Sequence, residues 1–187
     1  MNINTILFYR INSIITIHYF NIFFIFFSEY LTYIFIILTI LIFFIKNRVN
    51  INKRNQDIVT LLLLSAIFGI IINIITRSFY FEQSPYNSLS DINKVISLPY
   101  FSIFFSNSLV ILTAITGIIY IYNKKLSYFY IGSLIFIGFS KIAIGEYFPI
   151  YIIQSYVIGI ISAILIYKFQ ALFYLGFNYI KILISNK

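Results

Sequence analysis

A single histidine, His18, and no cysteine leave this chain few ways to do chemistry. Thiolate chemistry, disulfides and any site built on two imidazoles are excluded, and no cluster of metal-ligating residues or phosphate loop is present. His18 stands next to Tyr19 at the edge of an apolar stretch and reads as an interfacial anchor. Glu29 lies inside that stretch. An acid within a membrane span is a functional candidate by default, and a neutral, hydrogen-bonded Glu29 with Asn73 or a tyrosine as partner is the plainer alternative. Lys46–Arg54 could meet anionic head groups, although orientation alone accounts for it. Three short polar strings also interrupt the apolar sequence. They are Arg77 through Ser84-Pro85, then Phe105-Ser106-Asn107-Ser108, and Ser140-Lys141 through Gly145, Tyr147, Pro149 and Tyr151.

The elements that must carry these residues are membrane helices. The sequence is 61% hydrophobic and 10% charged over 187 residues, more apolar surface than a soluble domain of this size can bury. Apolar stretches at 19–45, 58–76, 98–122, 126–145 and 148–168 predict five transmembrane helices, the last two divided by the turn from Glu146 to Pro149. Residues 1–18 mix polar and apolar side chains and read as an interfacial segment, or as a sixth span. Residues 170–187 show the spacing of an amphipathic tail on the membrane surface. The whole chain reads as one all-α membrane domain. Gly117, Gly132, Gly138 and Gly159 are expected to let helices approach closely.

Charge sorts the connections. Residues 46–57 carry four positive charges and one negative, Lys124-Lys125 form a basic turn, and Lys168, Lys181 and Lys187 mark the C-terminal end. In the other connections Arg77 and Lys94 face Glu82 and Asp91, and Lys141 faces Glu146. The positive-inside rule puts the first group in the cytoplasm and the second outside, so all three polar strings share the outer side.

Those strings resemble the signatures of the type 2 phosphatidic acid phosphatase superfamily. The third signature reads Ser-Arg, five residues, His, three residues, Asp, with Gly and Tyr-Pro near the His. Here Ser140, Gly145 and Pro149 are in register, Lys141 replaces the Arg, Tyr147 replaces the His and Tyr151 replaces the Asp. The first signature, Lys, six residues, Arg-Pro, is matched by Arg77 and Pro85 with Ser84 in the Arg position. The second, Pro-Ser-Gly/Asp-His, is matched by Ser106, with Phe105 for the Pro, Asn107 near the Asp and Ser108 for the His. The run from Phe81 to Tyr86, Ser28-Glu29-Tyr30 and Asn73 are similar to the undecaprenyl-diphosphatase branch in particular.

The resemblance implies a helical bundle with its site at the outer surface. In such enzymes the third-signature His attacks phosphorus, the Asp orients it, the second-signature His protonates the leaving group, and cations hold the phosphoryl oxygens. This chain keeps none of the catalytic groups at Ser108, Tyr147 and Tyr151. A nucleophile and a general acid need groups that titrate near the working pH, which serine and an ordinary tyrosine, at a pKa of about 10, do not. Hydrolysis by the family mechanism is therefore not expected. Arg77, Ser106 and Lys141 occupy phosphate-holding positions, so the resemblance implies a degenerate member of a bacterial cytoplasmic membrane that at most binds a polyprenyl or phospholipid phosphate, without a cofactor, or acts through a protein partner. Without the resemblance, Arg77 and Lys141 read as cations that end helices and snorkel toward head groups. An active phosphatase acting on undecaprenyl diphosphate or phosphatidic acid, and an unrelated membrane scaffold or transporter component, are the alternatives. No nucleic-acid module is present.

Overall fold

Lipid offers no hydrogen bonds to a bare backbone, so a chain this apolar must close its backbone bonds within each segment. The computed structural model describes residues 2–16, 18–49, 53–79, 84–89, 92 and 106–171, with the backbone alone described at 15, 16, 18–21, 40, 42–49, 53–57, 77, 86 and 87. Every element among the described residues is helical. In chain order they are α1 (Ile3–Asn12) with a 3₁₀ turn (Ser13–Thr16), α2 (His18–Ile25), a π-helical turn (Phe26–Tyr30), α3 (Leu31–Val49), α4 (Lys53–Phe79), α5 (Pro85–Ser88), α6 (Asn107–Tyr122), α7 (Lys124–Ala143) and α8 (Pro149–Lys168).

Four stretches are long and apolar enough to cross a membrane: Ile22–Thr39 through the π turn, Ile58–Thr76 in α4, and the whole of α7 and α8. The expected fifth span, 98–122, is helical over the 16 residues of α6, with 98–105 outside the described residues. At 1.5 Å per residue α6 is about 24 Å long, short of a hydrocarbon core of about 30 Å. Outward-facing Ile67, Ile71, Ile135, Ile153, Ile160 and Ile164 are roughly half exposed, which is what lipid-facing positions require. The tail at 172–187 lies outside the described residues.

The centre of the molecule is α6, held between α4, α7 and α8. Glycines set how closely α6 and α8 approach: a Cβ on Gly117 would stand 2.5 Å from Ala163 Cβ, and one on Gly159 would stand 2.6 Å from Thr113 Cβ. Thr113 to Gly117 and Gly159 to Ala163 both advance by four residues, so the two helices run parallel. Gly138 meets Tyr156 of α8, and Gly69, which the sequence did not single out, meets Val110 and Ser162. Gly132 departs from expectation, because a Cβ there would meet nothing within 4 Å. It faces outward from α7 rather than into a helix pair. α3 packs on α7 through Phe35 and Tyr130, whose rings are 5.0 Å apart edge to face, and Tyr130 shares a 2.6 Å hydrogen bond with Thr39.

α1 is more than an interfacial segment. Phe8 and Asn12 are buried, the Asn12 side-chain amide donates to the Ala143 carbonyl at 2.8 Å, and the Asn4 side-chain Oδ1 accepts from Ile150 N–H at 3.2 Å. α1 is thus fastened to both ends of the turn joining α7 to α8.

Candidate functional site

The described residues of the three polar strings sit where helices begin or end, at one end of the bundle. Ser106 caps α6: its Oγ accepts from Leu109 N–H at 3.4 Å and shares a 2.8 Å hydrogen bond with Ser108 Oγ. Serine at this position satisfies one of the N–H groups that a helix start leaves without an internal partner. On α4, the fully buried Asn73 donates to the side-chain carbonyl of Asn107. That bond brings antiparallel α4 level with the α6 start and places the Arg77 backbone one turn beyond it. Asn73 therefore partners Asn107, while Glu29 is half-buried on the π turn. Ser84, in the Arg position of the first signature, is buried and precedes Pro85, the first residue of α5. Residues 81–83 and 98–105, with Glu82 and Phe105 among them, lie outside the described residues, as do the side chains of Arg77, His18 and 42–49.

The third string is the most completely defined. α7 ends in a glycine turn: Gly145 has φ of 85°, its N–H bonds the Ile142 carbonyl at 3.0 Å, and the Glu146 N–H bonds the Lys141 carbonyl at 3.1 Å. This pair of bonds is the Schellman pattern, which needs a left-handed residue that glycine adopts without cost. It reverses the chain so that Glu146 lies over Lys141, five residues earlier. Their side chains meet: Lys141 Nζ is 2.8 Å from Glu146 Oε2, with the residues 3% and 7% exposed. Ser28 completes the group. It donates to the same carboxylate oxygen at 3.3 Å, and Lys141 Nζ lies 3.5 Å from its Oγ. Ser28 arrives from the π-helical turn, an irregularity often found at functional sites. The ring of Tyr147 lies 5.5 Å from Lys141 Nζ, within cation–π range.

The environment of Lys141 departs from expectation. Lys141 does not snorkel to an interface; it is enclosed and neutralised. Glu146 and Ser28 were missed as members of the site. The signal for Glu146 was its position after Gly145, and for Ser28 its place beside the intramembrane Glu29. Of the positions where the superfamily has its catalytic groups, Tyr147 is buried and Ser108 and Tyr151 are half-buried. Tyr151 packs beside Val110 and Ile158, which ties the third string to the first turn of α6. Among the described residues there is no group of three His, Cys, Asp or Glu side chains able to hold a metal ion.

No family model and no curated protein sequence matches the chain. Among solved structures, the crystal structure of Aquifex aeolicus LpxE matches with a TM-score of 0.69 and 25% identity, over 90% of this chain and 96% of that one. The likeness runs nearly end to end in both chains. It supports the superfamily resemblance and, at the level of fold, a multi-pass membrane protein of the lipid-phosphate phosphatase type.

Proposed function

We propose that the chain is a degenerate lipid-phosphate phosphatase, similar to undecaprenyl-diphosphatases, that binds a lipid phosphate or diphosphate without hydrolysing it. The observation that carries this reading is the side-chain chemistry at one end of the bundle. Ser108 and Tyr147 stand where the superfamily has histidines, and the chain's one histidine, His18, belongs to α2. Neither replacement titrates near neutrality in its ordinary state, so neither can combine nucleophilic attack with proton return. Groups suited to holding an anion are better kept. Ser106 and the N–H groups of the α6 start favour negative charge, and cations are kept at the family positions of Arg77 and Lys141, the latter already paired with Glu146. The balance of basic residues supports placing this end on the outer face of a bacterial cytoplasmic membrane.

The test is phosphate release by the purified protein from undecaprenyl diphosphate and phosphatidic acid in detergent. A variant carrying Ser108→His, Tyr147→His and Tyr151→Asp is assayed beside it. The expected result is silence from the wild type, with an active phosphatase working in the same assay. Release by the wild type that is lost in Lys141→Ala would overturn the reading and establish an active phosphatase without its histidines. Release by the triple variant alone would show that the site geometry outlasts its chemistry.

A further inference from the structure

We infer that Glu146 is the residue that sets the anion affinity of this site, its carboxylate holding on Lys141 the place a phosphoryl oxygen would take. The inference rests on the proposed lipid-phosphate binding and adds a residue outside the superfamily's signature positions. A carboxylate oxygen and a phosphoryl oxygen make the same charge-assisted hydrogen bond to an ammonium group, at about 2.7–2.9 Å. The 2.8 Å bond from Lys141 Nζ to Glu146 Oε2 already has that length. The remaining contacts close the arrangement: Ser28 bonds the same oxygen, and the Tyr147 ring stands beside the ammonium. Lys141 is 3% exposed and its ammonium is already paired, so an anion can reach that charge only by taking the place of the carboxylate.

Position makes Glu146 an effective competitor. The Gly145 turn ties the Glu146 backbone to the Lys141 carbonyl, so the carboxylate is held at high effective concentration with little left to order on pairing. An incoming lipid phosphate must displace it, and the anion it replaces is as well bonded as the one it offers. Wild-type binding is therefore weak, and removal of the carboxylate charge strengthens it.

The experiment is calorimetric titration of the detergent-solubilised full chain with a short-chain phosphatidic acid. Phosphatidylcholine of the same chain length is the charge control, and inorganic phosphate separates head-group chemistry from lipid recognition. Glu146→Gln keeps the shape of the side chain and removes its charge. It is expected to tighten phosphatidic acid binding about tenfold or more, the scale of one hydrogen bond to a charged group. Adding Lys141→Met to that variant is expected to return binding to the wild-type level or below. Equal affinity in wild type and Glu146→Gln would overturn the inference and leave lipid-phosphate binding standing. Absence of binding in both would overturn both. Should Glu146→Gln fail to fold, Gly145→Ala, which keeps Lys141 and Glu146 but strains the turn that holds the carboxylate in place, is expected to tighten binding, and unchanged affinity there would overturn the inference.

Discussion

Gly159 lies against Thr113 and Val110 so closely that a Cβ added to it would stand 2.6 Å from Thr113 Cβ and 2.8 Å from the Val110 carbonyl oxygen. Backbone cannot retreat as a side-chain tip can, so α6 and α8 would have to separate. Gly159→Ala is expected to cost about 1–3 kcal/mol, in the range of overpacked cores. Gly132→Ala is expected to stabilise by roughly 0.5–1 kcal/mol, because nothing opposes its Cβ and the helix gains a better former. Reversible unfolding of the detergent-solubilised protein compares the two, and opposite signs are the expected outcome.

The buried ion pair should behave as a unit. Lys141→Met alone strands the Glu146 carboxylate and is expected to cost about 3–5 kcal/mol. Adding Glu146→Leu should recover most of that loss, because an apolar pair of similar volume needs no counter-charge. A double-mutant cycle on unfolding free energies checks it, and additivity of the two changes would show that the charges do not depend on each other.

Gly145 is the one described residue with positive φ, at 85°. Gly145→Ala keeps the side chains of Lys141 and Glu146 but forces an L-residue into the left-handed region, at about 1–2 kcal/mol. The same change should loosen the Glu146 N–H bond to the Lys141 carbonyl. Faster amide exchange at Glu146 and Tyr147, with the rest of α7 unchanged, is the expected signature.

Much of this was legible in the sequence, and the parts that were not share a reason. The turn from Glu146 to Pro149 announced the division between α7 and α8, because a proline acts on its immediate neighbours, whereas Ser106, inside the expected span 98–122, is extended and caps the start of α6. Gly117, Gly138 and Gly159 were legible as packing positions, but Gly132 looked the same. A helix apolar all round does not reveal which face meets protein and which meets lipid. The span at 58–76 was plain from length, whereas α6 ends within 16 residues because Ser106 and Asn123 cap the chain on either side of it. The pairing of Glu146 with Lys141 needed a left-handed turn between them. The arrival of Ser28 needed a π turn in an element 118 residues away from Glu146, which no local pattern encodes.

Asn12 joins α1 to the carbonyl of Ala143 at the close of α7. Asn12→Ala leaves that buried carbonyl without its amide, at an expected cost of about 1–3 kcal/mol. Limited proteolysis should detect earlier cleavage within α1, while helices α4 and α6 keep their resistance.

Two polar contacts of α1 reach Ala143, 131 residues after Asn12, and Ile150, 146 residues after Asn4. Synthesis runs from the N-terminus, so α1 leaves the ribosome long before either partner exists. Its polar face, Asn4 and Asn12 included, must wait in water or at the head groups until the last two helices enter the bilayer. α1 can therefore take its final place only after the turn bearing Lys141 and Glu146, made more than a hundred residues later, has joined it.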